Sequence, residues 1–171
     1  TVSEGNGIEP DIKSITDLTS KSLTSLLEQG ILADFATYYA AKNTSIASAN
    51  TFKITDAVYT DFVNWYKKNA TIYKNTAIKQ LQELTATLRT EAQNIDTKTF
   101  NSLENQLLQD IENQLLNSKN QIAPLLSKEI VSRYYYTNGG IENMLSVYDE
   151  DIQKICEILK DTKEYHRILK P

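Results

Sequence analysis

The chain has 171 residues, a net charge of −4, five glycines, three prolines and one cysteine. That length accommodates one domain with a real core, and a composition led by Leu, Ile, Ala, Lys, Glu and Gln with few helix breakers predicts an all-α fold. The lack of a basic cluster argues against nucleic acid as a partner, no run reaches the ~20 apolar residues of a membrane helix, and the lone Cys156 excludes an internal disulfide.

Thr1 to Asp11, with Gly5, Gly7 and Pro10, reads as extended or turn-like. A first helix is predicted from Thr16 or Asp17, either able to cap, to Gln29, where Gly30 stops it; Leu23, Leu26 and Leu27 face inward. Ile31 to Lys42 follows, with Ile31, Phe35, Tyr38 and Tyr39 at i, i+4, i+7 and i+8. Asn43 to Lys53 has no periodicity and reads as a loop. Thr55 then caps a helix from Asp56 to Lys68, whose Val58, Phe62, Trp65 and Tyr66 share a face. The only tryptophan, Trp65, suits a core anchor better than a ligand contact because its stripe partners are hydrophobes.

Two long segments come next. Ala77, Ile78, Leu81, Leu84, Leu88 and Ala92 line one face of Lys74 to Gln93, and Phe100, Leu103, Leu107, Ile111, Leu115 and Ile122 line a face of the segment that begins at Thr97 and runs to Gln121. Asn94-Ile95-Asp96 allows only a reversal, so an antiparallel hairpin with arms of ~30 and ~37 Å is expected at 1.5 Å per residue. Ile78 at the margin of its stripe and Leu116 off the other mark apolar surface that pairing of the arms alone leaves open. With Trp65 they make up the candidate interaction surface; a further helix or a second protomer would cover Ile78 and Leu116, or the Asp56 to Lys68 helix would bury them within the domain.

Pro124 is expected to break the rod and to sit in the first turn of a new helix. From Leu125 to Tyr136 that helix is apolar nearly all round, so it should be central and surrounded by protein. Glu129 and Arg133, an i,i+4 pair inside the apolar arc, are expected to be a partly buried structural ion pair among Tyr134, Tyr135 and Tyr136. Asn138, Gly139 and Gly140 tolerate positive φ and are expected to form the turn that ends the helix. A short helix from Ile141 to Val147 leads to another from Asp149 to Lys160, whose acidic start suits the helix dipole and whose Ile152, Ile155, Cys156 and Leu159 form an inner stripe. Tyr165 and Leu169 are spaced to dock a last turn.

Catalytic chemistry has little to stand on. The single His and single Cys lie ten positions apart on different predicted helices, Cys156 reads as an inert core thiol, and His166 beside Glu164 and Arg167 reads as solvated. Asp149, Glu150 and Asp151 read as a charged helix start rather than a metal site, and no cofactor is called for. The Arg133-Tyr134-Tyr135-Tyr136 run reads as core rather than as a base-stacking platform.

Two stretches carry a family resemblance. Glu129-Ile-Val-Ser-Arg-Tyr-Tyr-Tyr, a Gly-containing turn, Ile141-Glu142, Asp149-Glu-Asp-Ile and Tyr165-x-x-Ile-Leu169 occur in the order seen in the tail of the C-terminal processing (tail-specific) serine peptidases of bacteria. Gly5-Asn-Gly-Ile-Glu-Pro-Asp11 resembles the segment that closes their catalytic domain. The turn Thr137-Asn-Gly-Gly140 departs from the Gln-Arg-Gly-Arg type common there. The resemblance implies a residual strand over 1–14 and a helical C-terminal domain over 15–171. It places the nucleophilic serine and lysine base upstream of these residues, so the segment should be inactive alone.

The role implied is to brace the catalytic domain of the same chain, to assemble protomers or to shape the access of protein substrates, in the periplasm. A stand-alone helical binding or scaffold module of an exported protein is the other reading. Without an initiator Met or a signal sequence, the chain reads as an excised segment.

Overall fold

A computed structural model describes residues 24, 27–69, 72–73, 76–91 and 96–168. The expected N-terminal strand, most of the first helix, the Asn94-Ile95 reversal and the docking residue Leu169 lie outside the described residues. The described residues form seven α-helices and no strand, so the protein is all-α. We label the helices α1 (Ile31–Lys42), α2 (Asp56–Asn69), α3 (Thr76–Glu91), α4 (Thr97–Asn117), α5 (Lys119–Asn143), α6 (Glu150–Lys160) and α7 (Thr162–Ile168); a π-helical turn, Met144–Tyr148, follows α5.

Local chemistry sets several boundaries. Gly30 has φ 82°, a left-handed conformation open to glycine, just before α1, and its carbonyl accepts from Asp34 N at 3.0 Å. Thr55 Oγ1 accepts from Val58 N at 3.3 Å, as its capping role requires. Asp96 caps α4 in the same way, accepting from Lys98 N at 2.9 Å. The rod breaks at Ser118, six residues before Pro124, and Pro124 lies within α5. Its missing N–H leaves the carbonyl of Asn120 without a helical donor; Asn120 is exposed, so water can serve that oxygen and the helix continues.

Contacts divide the chain into two compact units, one of which is Thr19–Tyr148; the described part of the other begins at Asp149. The first unit holds the core. Ile31, Leu32, Phe35 and Ala36 of α1 pack with Tyr59, Phe62, Val63 and Tyr66 of α2, Ile78 of α3, Ile111 and Leu115 of α4, and Ile122, Ala123, Leu126, Ile130 and Val131 of α5. Helix α5 packs along α1 and against α4, which makes it the central element. Its second half departs from expectation: Tyr135 and Tyr136 are exposed rather than enclosed.

In the second unit Asp149 caps α6 by accepting from Ile152 N at 2.9 Å, as the acidic start predicts. The α6 stripe, expected to face inward, is exposed instead. Ile155 is 53% and Leu159 59% accessible, and Cys156 is an exposed free thiol rather than a core one. An amphipathic pattern specifies which face is apolar, not what covers it.

Candidate functional site

The corner in α5 is the most unusual backbone feature. Tyr135 (φ −122°, ψ 17°) and Tyr136 (φ 59°, ψ −176°) are non-helical, and the chain reverses there. Tyr136 is the only non-glycine residue with positive φ among the described residues, and its ring is 84% exposed. The turn expected at Asn138-Gly139-Gly140 therefore occurs two residues earlier, and neither glycine has positive φ.

The glycines serve close packing instead. A Cβ on Gly139 would overlap that of Tyr135, and one on Gly140 would overlap Ser132 Oγ and come within 2.9 Å of the Lys128 carbonyl. Without side chains at these positions, the second arm of α5 lies flat on the first.

One turn further on, Asn143 is fully buried. Its Oδ1 accepts from Ser127 Oγ at 2.6 Å, and its Nδ2 donates to the carbonyls of Ala49 (2.7 Å) and Phe52 (2.9 Å). Tyr134 Oη donates to the Asn43 carbonyl at 2.6 Å, and Ile54 N donates to Tyr148 Oη at 3.0 Å. The aperiodic segment between α1 and α2 is thus tied at one end and in its middle to the doubled-back α5, and at its other end to the π-helical turn that follows. Sequence reasoning missed Asn143; its signal was its place on one helix face with Gly139 and Gly140.

The Glu129–Arg133 pair does not form as expected. Arg133 is exposed and reaches across to α1, where Nε donates to Thr37 Oγ1 (3.2 Å) and Nη2 to the Ala33 carbonyl (3.1 Å); Glu129 is half-buried. A neighbouring helix offers a carbonyl fixed in place, which a flexible carboxylate one turn away does not.

Trp65 is partly buried in a ring cluster, 5.7 Å from Phe35, 6.0 Å from Tyr38 and 5.6 Å from Tyr73. Tyr73 Oη donates to Asp34 Oδ2 at 2.6 Å, and burial together with that carboxylate raises its pKa above the ordinary tyrosine value. Trp65 is therefore a packing residue with little free face.

Arms α3 and α4 pair as expected, with Gln82 Nε2 donating to Glu104 Oε1 across them. They meet the core over their lower halves, where Leu107 and Leu108 of α4 are partly buried against it. Ile78, expected at an open margin, is fully buried there with Ile111 and Leu115. Further out, Leu84 is 50% and Leu103 44% accessible, and among the described residues no side chain between Ile78 and Ile111 along the arms is buried. Leu116, on the outer side of α4, is 48% accessible. Of the three expected surface residues, only Leu116 presents a substantial apolar face.

A cleft of about 290 Å³ lies between α2 and α4, lined by Tyr66, Lys67, Asn105, Leu108, Gln109 and Glu112. Lys67 Nζ and Glu112 Oε1 pair across it at 2.9 Å. Tyr66 is 1% accessible, and its hydroxyl is the one buried side-chain polar atom among the described residues with no hydrogen-bond partner. Burial raises its pKa to about 12. Tyr59, also buried, is satisfied: its hydroxyl donates to the Leu115 carbonyl at 2.5 Å.

Nothing in the described residues gathers three or more metal-ligating side chains, and no described helix is long and apolar enough to cross a membrane. Cys156 and His166 are both exposed, on α6 and α7, and the His166 ring packs on Tyr165 at 5.8 Å. What these elements offer is surface and packing: a propped hairpin, a tied corner and a polar cleft.

No curated protein and no solved structure matches the chain. The family described as "Probable PDZ-protease, C-terminal helical domain" matches residues 22–159, which cover the described helices from α1 to α5 and nearly all of α6. The chain belongs to this family, as the C-terminal helical domain of a probable PDZ-protease.

Proposed function

We propose that this domain is a non-catalytic part of a serine peptidase of the C-terminal processing type, acting in the periplasm, and that its α3–α4 hairpin contacts the catalytic part of the same chain and shapes the access of protein substrates. The observation that carries this reading is that the hairpin is anchored over its lower half while its outer turns stay open. Ile78, Ile111 and Leu115 are buried, while Leu84 and Leu103 stay about half exposed along two paired helices. Two helices cannot enclose their own apolar stripe, so a further surface is needed to complete the packing.

The test is a deletion in the full-length protease. Residues 84–103 are removed and the arms closed with a short Gly-Ser loop, which leaves Ile78, Ile111 and Leu115 in place. The expected result is altered cleavage of a protein substrate by an enzyme whose catalytic part remains folded. Cleavage and sedimentation like those of the intact enzyme would refute the role. A change in sedimentation with unchanged cleavage would assign the hairpin to assembly of protomers instead.

A further inference from the structure

We infer that the cleft between α2 and α4 is a binding site for a peptide unit of an extended polypeptide. The inference rests on the reading of this domain as part of a protease, since polypeptide is what such a domain meets.

The starting point is an imbalance in hydrogen bonding. Buried hydroxyls are almost always paired, and Tyr59, Tyr73 and Tyr134 each donate to a carbonyl or carboxylate. Tyr66, in the wall of the cleft, has no partner although it is as buried as any of them. An unmet donor of this kind costs ~1 to 3 kcal/mol, which an acceptor brought into the cleft recovers once the groups covering the hydroxyl move aside. The other walls narrow down that acceptor. Asn105 and Gln109 stand one turn apart on α4, both exposed, and each side-chain amide offers a donor and an acceptor. A peptide unit presents the same two groups and pairs with such amides.

Charge and size exclude alternatives. Lys67 pairs with Glu112 at 2.9 Å and they are the only charged side chains in the lining, so the cleft carries no net charge to favour a carboxylate, a phosphate or an amine. Leu108 supplies an apolar wall for a small side chain next to the peptide unit. The volume of about 290 Å³ lies at the lower end of ligand sites, which run from ~300 to 1,000 Å³, so the cleft takes a fragment of chain rather than a nucleotide-sized cofactor.

The experiment uses the 171-residue chain, isotopically labelled for NMR, titrated with acetyl-Ala-Asn-Ala-amide and, separately, with the same tripeptide ending in a free carboxylate. Saturable shifts of the Asn105 and Gln109 side-chain amides are expected at millimolar peptide, with the blocked peptide binding at least as tightly as the acid. Tyr66→Phe keeps the ring and removes only an unpaired hydroxyl, so it should fold with unchanged or higher thermal stability and bind about fivefold more weakly, the size of one hydrogen bond.

Shifts that never saturate would overturn the proposal and leave the cleft to water. Equal binding by Tyr66→Phe, or an acid that binds tenfold more tightly than the amide, would overturn it as well. The hairpin deletion spares Tyr66, Asn105 and Gln109 and is read by cleavage, so either claim can fail while the other stands.

Discussion

Ser127 and Asn143, sixteen positions apart, meet inside the protein with both side chains fully buried, and the Ser127 hydroxyl donates to the Asn143 carbonyl oxygen at 2.6 Å. Asn143 at the same time holds two backbone carbonyls from the segment between α1 and α2. One side chain thus ties two other stretches of chain to its own, and its removal strands polar groups on both.

Asn143→Ala should lower stability by about 3 to 5 kcal/mol, because the buried carbonyls of Ala49 and Phe52 lose donors and each unmet group costs ~1 to 3 kcal/mol, less than additively. Ser127→Ala should cost about 1 to 2 kcal/mol, since Asn143 keeps its other two bonds. Urea denaturation of both variants checks the order; equal small losses would show that water replaces the side chain.

Tyr136→Gly should raise stability by about 1 kcal/mol. A non-glycine residue in such a conformation is strained by ~1 to 3 kcal/mol, and glycine loses ~0.5 to 1 kcal/mol of that gain to chain entropy. Tyr136→Ala retains the strain and deletes only an exposed ring, so its urea midpoint should stay close to the parent's. Gly140→Ala should lose about 1 to 3 kcal/mol, because the new methyl meets the Lys128 backbone.

Arg133→Ala should cost about 1 kcal/mol or less, since the side chain is exposed and donates to groups at a helix surface. Glu129→Ala should add only its own separate effect in the double variant, because the two side chains form no ion pair. A double-mutant cycle on thermal unfolding reads the coupling, which is expected near zero.

Alkaline pH should unfold the protein. Burial raises the pKa of Tyr66 to about 12 and those of Tyr59 and Tyr73 above the usual value of 10.0. The unfolded chain therefore gives up these protons first, and stability is complete below about pH 10 and is lost as pH rises through the folded values. The urea midpoint should hold between pH 8 and 9 and fall between pH 10 and 12, less steeply in Tyr66→Phe. A flat profile through pH 11 would show that these hydroxyls are hydrated in the folded state.

Most helices were legible because α1, α2, α3 and α4 carry apolar residues at helical spacing, and Gly30, Thr55 and Asp149 have one obvious local use. The corner was not. Glycine serves both left-handed turns and close helix contact, and sequence does not say which; Gly139 and Gly140 do the second while Tyr136, with no turn propensity, takes the turn. The i,i+4 spacing of Glu129 and Arg133 reads the same whether the arginine folds back or crosses to α1. Asn143 and Tyr66 were illegible for a deeper reason: whether a buried polar group is met depends on partners far along the chain, such as Ala49, 94 positions from Asn143.

The footing of the hairpin on Ile78, Ile111 and Leu115 separates its reach from the integrity of the core. A heptad inserted in each arm advances the tip ~10 Å and turns each helix face by only ~20°, so the arms stay in register. The folded base does not sense the change. Length here is a free parameter, and a lineage of such proteases can adjust how far this arm extends by matched insertions, without compensating substitutions elsewhere in the domain.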